Sequence, residues 1–349
     1  MQSFDVTKWV NPNILELAVY TSARDEYQGV PGVMLDANES PYENGVNRYP
    51  DPAACALKSR WAAFRNVSET QAILGNGSDE VLDMIFKCCQ VKGGNIVVPA
   101  PSYGMYEVLA ATYGMETRKV LLDEDFSLDA ERLLAAVDEQ TRLIILCSPN
   151  NPTGNVLASE AIDQVLRGFN GLVVVDEAYI DFAASPSWVS RLDNYPNLLV
   201  LQTCSKAWGM AGLRIGAAFS SPAVIDLLRK VKLPYNLNVC AQEKALSLWN
   251  PEEVAAFVTT NQTQREIMTE ALVQLSFVQQ VYPSDANFIL VQCEDAKLLM
   301  TYLLEQQIVV RDRSSQSLCN NCLRITIGTP AENELLLKSL RAYEKSIVY

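Results

Sequence analysis

LIILCSPNNPTG, residues 143–154, is an apolar run that passes directly into a polar cluster. The same change recurs at LVVVDEAY, residues 172–179, and at LLVLQTCSKA, residues 198–207. Short uninterrupted apolar runs suit strands covered on both faces. From about residue 70 to 220 they alternate with amphipathic stretches, the pattern of strand–helix units building a mostly parallel sheet. The strands expected are Ile96–Val98, Leu143–Cys147, Leu172–Val175, Leu198–Leu201 and Ala217–Phe219. Open α/β sheets bind ligands outside the carboxyl ends of their strands, which is where the three polar clusters fall.

The chain has 349 residues, 49% of them hydrophobic, enough for a large core and two domains. Its net charge is −13 and no run of Lys or Arg occurs, so neither a nucleic-acid footprint nor an attraction to anionic membrane is expected. MQSFDVTKWVNP at the start has no basic segment followed by an apolar core, and no apolar run approaches the roughly 20 residues of a membrane span. Small-molecule partners and a cytoplasmic location follow as expectations. The nine cysteines are an odd number, Cys88 and Cys89 are adjacent, and Cys147 closes an apolar run, so free thiols are expected rather than a disulfide framework. Cys319 and Cys322 form a CxxC, but without a second CxxC or any histidine it reads as a turn entering a strand, and no metal is expected.

The absence of histidine restricts the chemistry. No Ser-His or Cys-His nucleophile can exist, so proton transfer near neutrality falls to Lys, Tyr, Cys or a carboxylate of shifted pKa.

After about residue 240 long helical patterns give way to NFILVQC, QQIVVRDR and CLRITIG as separated strand candidates, with a closing helix from about Glu332. The organisation expected is an N-terminal arm or part of the small domain over 1–40, a large domain over 41–240 and a smaller α+β domain over 241–349.

GNGSDEVLDMIFKCC, residues 75–89, puts glycines before Ser78 as a helix cap, Asp79 and Glu80 in the first turn, and Val81, Leu82, Ile85, Phe86 and Cys89 on one face. Free amides at such a start suit a phosphate. Glu80 stands where the dinucleotide fingerprint needs glycine. Asp176, just past a buried run, needs a cation, either a structural partner or a protonated ligand nitrogen. Lys206 and Arg214, eight positions apart in QTCSKAWGMAGLRIG, call for an anion between them. A phosphate cradle, a carboxylate for a ring nitrogen, an amine and an arginine together are what pyridoxal 5′-phosphate requires. Arg214 is also the neighbouring cation expected to lower the Lys206 pKa.

SPNNPTG, DEAY and the Ser-Lys…Gly-Leu-Arg-x-Gly pattern, in this order, resemble the fold-type I pyridoxal-phosphate aminotransferases of the aspartate aminotransferase superfamily. YTSAR, LDANESP, NRYPDP, PSYGMYE and VVRDR…CLRITIG are similar to the histidinol-phosphate aminotransferases, over nearly the whole chain. The resemblance implies an α/β fold of that type, with a seven-stranded, mostly parallel sheet, a smaller α+β domain and an N-terminal arm. Lys206 would carry the cofactor and shuttle the proton, Asp176 would pair with the ring nitrogen, and Tyr103 would stack on the ring. Asn151 and Tyr179 would bond the ring's phenolic oxygen. Ser78, Asp79, Thr203, Ser205 and Arg214 would hold its phosphate, joined by Tyr49 from the second subunit of a homodimer. Arg324 would receive the substrate's anionic group, with Arg311, Tyr20 and Asn38 supplementing it. Cys204, where an apolar residue is common, and WGMAG after Lys206 depart from the family's usual pattern.

The activity implied is amino transfer between L-histidinol phosphate and 2-oxoglutarate, giving imidazole acetol phosphate and L-glutamate through pyridoxamine phosphate. Its rivals are an O-phosphothreonine decarboxylase, a broad aromatic aminotransferase and a non-catalytic pyridoxal-phosphate- or nucleotide-binding regulator.

Overall fold

The computed structural model describes residues 4–21 and 32–347. Part of the arm and the Ser22–Arg24 portion of YTSAR lie outside the described residues. Seven strands form one sheet: β1 (Ala72–Asn76), β2 (Asn95–Ala100), β3 (Glu116–Leu121), β4 (Thr141–Cys147), β5 (Leu172–Asp176), β6 (Leu198–Thr203) and β7 (Ile215–Ser220). Their order is β1-β7-β6-β5-β4-β2-β3, and β7 alone runs antiparallel to its neighbours.

The five expected strands all form, each longer by one to three residues. Their apolar residues divide by parity, as successive side chains of a strand must. Val97, Ile144, Leu146, Val173, Val175 and Val200 pack on one face, under the helix Ser159–Gly168. Ile96, Val98, Leu143, Ile145, Val174 and Leu199 pack on the other, under the helices Ser78–Cys89 and Pro222–Val231. Each of these buried side chains contributes roughly 1.5–3 kcal/mol over an exposed one. The face expected of the first of those helices is the one buried, with Met84 and Cys88 added to it.

A second, antiparallel sheet has the order β10-β11-β9-β8, from β8 (Val278–Val281), β9 (Phe288–Cys293), β10 (Arg311–Asp312) and β11 (Cys322–Thr326). Ile289, Val291, Leu323 and Ile325 face the helices Ala296–Glu305 and Pro330–Ile347. Phe288, Leu290 and Cys322, of opposite parity, pack instead with residues of the large sheet's core. Arg324 shares that parity, so alternation directs it toward the large sheet. The CxxC is a turn entering β11, with Cys322 N donating to Cys319 O at 3.0 Å, and all nine cysteines are free. Among the described residues no helix is long and apolar enough to cross a membrane.

Candidate active site

The carboxyl ends of β1, β2, β4, β5 and β6 open on a cavity of about 200 Å³, closed on its far side by residues from the small sheet. β5 ends there in Asp176, which is buried. Tyr106 Oη donates to its Oδ2 at 2.6 Å and Ala178 N to its Oδ1 at 3.1 Å. Burial pushes this carboxyl up, and the two donors oppose that only in part. The cation expected for it is not supplied as an ion pair by any described residue.

Lys206 sits in the turn after β6, its Nζ 5.5 Å from the centre of the Tyr179 ring. Burial lowers its pKa, and Arg324 is the leading cation in doing so. The sequence assigned this repulsion to Arg214, whose effect comes after those of Arg324, Asp176 and Asp79. The tertiary fold brings Arg324 closer in effect than the chain neighbour, and Arg214 is partly neutralised by an ion pair with Asp79 at 3.6 Å.

Gly77, not Ser78, occupies the cap of the helix Ser78–Cys89, and no side chain accepts from its first turn. Gly77 has φ 82°, and a Cβ there would stand 2.6 Å from Arg214 Nη2. A Cβ at Gly216 would collide with the backbone of Ser78, 2.7 Å from its Cα. Two glycines therefore let the helix start, β7 and Arg214 converge. Thr203 Oγ1 donates to Ser205 Oγ at 3.0 Å, and Arg214 Nη1 reaches the same oxygen at 3.4 Å. Uncapped amides, two hydroxyls and a guanidinium form an anion cradle.

Tyr103 Oη donates to Asp79 Oδ1 at 3.2 Å, and its ring meets Tyr106 edge to face at 5.5 Å. Asn151 Oδ1 accepts from Arg324 Nη1 at 2.6 Å. Arg324 lies over Phe288, 5.2 Å from its ring centre, and Phe288 meets the Tyr179 ring edge-on at 5.1 Å.

Ser78, Asp79, Tyr103, Asn151, Asp176, Tyr179, Thr203, Ser205, Lys206, Arg214 and Arg324 all line this one cavity. Four candidates stand apart. Arg311 is exposed, opposite Arg324 in the β10–β11 register, and does not line the cavity. Tyr20, 68% exposed, borders a separate hollow with Lys58 and Arg229. Asn38 is exposed at φ 55°. Tyr49 stacks on Tyr235 at 4.4 Å and is half exposed. Two residues were not anticipated. Arg313 lines the cavity, and its signal was the alternation in VVRDR, which puts positions 311 and 313 on one side of an extended chain. Tyr106 follows Tyr103 by three positions in PSYGMY, with nothing local to link it to Asp176.

The Aminotransferase class I and II family model matches residues 12–340. A histidinol-phosphate aminotransferase of Bacteroides thetaiotaomicron is 49% identical over 336 residues, 95% of this chain and 97% of that protein. The histidinol-phosphate aminotransferase of Sinorhizobium meliloti, solved in complex with pyridoxal 5′-phosphate, superposes with TM-score 0.78 at 26% identity, over 86% of this chain and 83% of that one. L-threonine-O-3-phosphate decarboxylase of Porphyromonas gingivalis superposes with TM-score 0.75 at 26% identity, over 86% of this chain and 91% of that one.

Proposed function

The chain belongs to the class I and II aminotransferases, within them to the histidinol-phosphate aminotransferase family, and on that premise we propose that it transfers an amino group between L-histidinol phosphate and 2-oxoglutarate. The products are imidazole acetol phosphate and L-glutamate, and the cofactor is pyridoxal 5′-phosphate. One observation carries this: a lysine of lowered pKa, a buried carboxylate with no cation and an uncapped, arginine-flanked helix start occur in one cavity.

These residues fit the cofactor. The cradle of Ser78, Asp79, Thr203, Ser205 and Arg214 suits its phosphate, and Asp176 suits a protonated ring nitrogen. When bound, the cofactor supplies an aldehyde that joins to amines and a cationic ring that draws electrons from the carbon losing its proton. Lys206 supplies the amine. Burial and the Arg324 charge favour its neutral form, so Nζ can take the proton from the substrate's amine-bearing carbon. Against a cationic ring nitrogen Asp176 would be held anionic despite its burial, with Tyr106 keeping its Oδ2 in place. Because Asn151 Oδ1 is taken by Arg324, its Nδ2 would be left to donate to the ring oxygen, beside Tyr179. Tyr103 would cover the ring face. Arg324 keeps its remaining donors for the substrate's anionic end, with Arg311 adding positive charge from the rim.

The protein acts as a homodimer. Val33, Leu35 and Tyr42 are 78%, 86% and 82% exposed, a run of apolar side chains along the segment that leads to Tyr49. A second copy covering them would receive Tyr49 at its cofactor phosphate, and Tyr20 and Asn38 would reach substrate only in that assembly. Residues 41–240 are the cofactor-binding domain and 241–349 the domain carrying Arg324. Nine free thiols favour a reducing, cytoplasmic setting.

The test is to mix cofactor-loaded protein with L-histidinol phosphate without acceptor and record the absorbance. Conversion to the pyridoxamine spectrum, reversed by 2-oxoglutarate, is expected. Release of CO₂ from O-phosphothreonine with no amino transfer would sink the reading in favour of a decarboxylase.

A further inference from the structure

Arg65 lies outside the cavity, yet its guanidinium ties together the two segments that bring Lys206 and Asp176 into it. It follows the helix Cys55–Phe64, and its side chain is 14% exposed beside Asp181 at 17%. Arg65 Nε donates to Gln202 Oε1 at 2.6 Å and Arg65 Nη2 to Asp181 Oδ1 at 2.6 Å. The other oxygen of Asp181 accepts from Trp208 Nε1 at 3.2 Å. Gln202 continues the chain of bonds, its Nε2 donating to Glu177 Oε2 at 2.8 Å.

Gln202 stands on β6 four positions before Lys206, and Trp208 two positions after it, so Arg65 reaches both flanks of the turn that carries the lysine. Residues 204–209 belong to no helix or strand, and their own backbone supplies turn bonds such as Gly209 N to Lys206 O at 3.0 Å. Trp208 adds an aromatic anchor. It stacks on Trp249 at 4.1 Å and meets Phe64 edge-on at 5.2 Å, while the Arg65 guanidinium lies 4.8 Å from the centre of the Phe64 ring. On the second segment Asp176 and Tyr179 line the cavity, whereas Glu177 and Asp181 turn to Gln202 and Arg65. A guanidinium holds its donors in a rigid plane, so two acceptors bound to one edge keep a set separation. Trp208 belongs to the WGMAG stretch that departs from the resemblance, and its indole N–H is the link from the turn to Asp181.

We propose that Arg65 is a positioning residue: through Gln202 on one side and through Asp181 and Trp208 on the other, it holds the Lys206 turn in register with the Asp176–Tyr179 segment. This rests on Lys206 and Asp176 serving the cofactor as read above. Arg65 thereby fixes where Nζ stands relative to the carbon that gives up its proton. A displacement of about 1 Å at a reacting group, caused from outside the site, can cost on the order of a hundredfold in rate. Arg324 takes no part in these bonds, so substrate affinity is spared and the effect falls on kcat.

The experiment records the absorbance of the bound cofactor against pH, together with steady-state kinetics, in wild-type holoenzyme, Arg65→Met, Arg65→Lys and Trp208→Phe. In R65M kcat should fall about 10- to 100-fold, with KM for amine and acceptor changing less than about threefold. The midpoint of the absorbance change should move to higher pH, because an Nζ released from its buried position keeps its proton longer. R65K reaches only one of the two acceptors and should restore part of both effects. W208F keeps a ring against Trp249 and loses only the N–H, so it decides the matter if R65M does not fold. Arg324, Asp176, Asp79 and Arg214, the charges that act on Lys206, all remain in W208F, so a midpoint that rises there, by less than in R65M, reports position. The pH dependence of Lys206 acetylation by acetic anhydride, read by mass spectrometry on the full chain without cofactor, gives the same comparison whatever the activity. Variants that melt at lower temperature with kcat, midpoint and acetylation profile unchanged overturn the inference, since the bonds would then serve stability alone. A wild-type protein that binds no pyridoxal 5′-phosphate overturns the functional reading, with the acetylation profiles still deciding whether Arg65 positions Lys206.

Discussion

Arg324 Nη1 donates to Asn151 Oδ1 at 2.6 Å across 173 positions of sequence, tying β11 of the small sheet to the loop that follows β4 of the large one. The bond fixes both the guanidinium and the amide, so each depends on the other. Asn151→Ala should lower kcat/KM about 10- to 100-fold, matching a charged hydrogen bond of about 1.5–3 kcal/mol. Arg324→Lys keeps the charge and loses the planar fork, and should cost nearly as much. Steady-state kinetics check this, and a lysine variant with wild-type kcat/KM would contradict it.

Arg324 also acts on Lys206 at a distance. Burial first and then the Arg324 charge hold the lysine below its ordinary value of 10.5. Removing that charge in Arg324→Gln makes the ammonium easier to keep, so the Lys206 pKa rises. Because proton abstraction needs the neutral amine, the rising acid limb of the kcat profile should move to higher pH. A limb that stays in place, or moves down, would show that the repulsion is not felt at Nζ.

Tyr106 Oη holds Asp176 Oδ2 at 2.6 Å, a contact that favours the charged carboxylate. Tyr106→Phe leaves that oxygen buried without its donor, moves the carboxyl further up and weakens its hold on a cationic ring nitrogen. Cofactor retention on dialysis should fall about tenfold or more, in line with about 1.5–3 kcal/mol. Retention equal to wild type would argue against Asp176 as the partner of the ring nitrogen.

Glu177, next to Asp176, is buried and faces the other way, bonded by Ser187 Oγ at 2.6 Å, Trp188 N at 2.6 Å and Gln202 Nε2 at 2.8 Å. Burial pushes its carboxyl up to about 7 from an ordinary 4.5. The folded form thus keeps a proton that the unfolded chain releases, and stability from this group is full below about pH 4.5 and lost as pH rises through about 7. The chain has no histidine to titrate in the same range. Glu177→Gln should flatten the fall in stability between pH 5 and 8, the difference from wild type reaching about 3 kcal/mol. Urea midpoints at the two pH values measure it, and parallel falls in both proteins would count against the shifted carboxyl.

The strands the sequence revealed are those whose burial is double-sided. β4, β5 and β6 each contain an unbroken run of buried apolar residues, Leu143–Cys147, Leu172–Val175 and Leu198–Leu201, so each carries its own signal. β3 and β8 lie at sheet edges, where ETRKVL and VQQV keep polar residues exposed and show no apolar run. β1, AILGN, is short and ends in the Gly-Asn turn that reads as the approach to a helix. QQIVVRDR gives only two paired residues, since Val309 is 80% exposed and joins no core.

By itself the sequence determined the α/β fold and the placing of Asp176, Asn151 and Lys206 at strand ends, because burial periodicity and the carboxyl-end rule are properties of contiguous residues. The tertiary structure alone decided which cations meet Lys206, that Tyr106 holds Asp176, and that Arg313 enters the cavity while Arg311 stays on its rim. Those are contacts between elements far apart in the chain, set by how the small sheet packs on the large one, and electrostatic coupling across such a junction leaves no trace in the local order of residues.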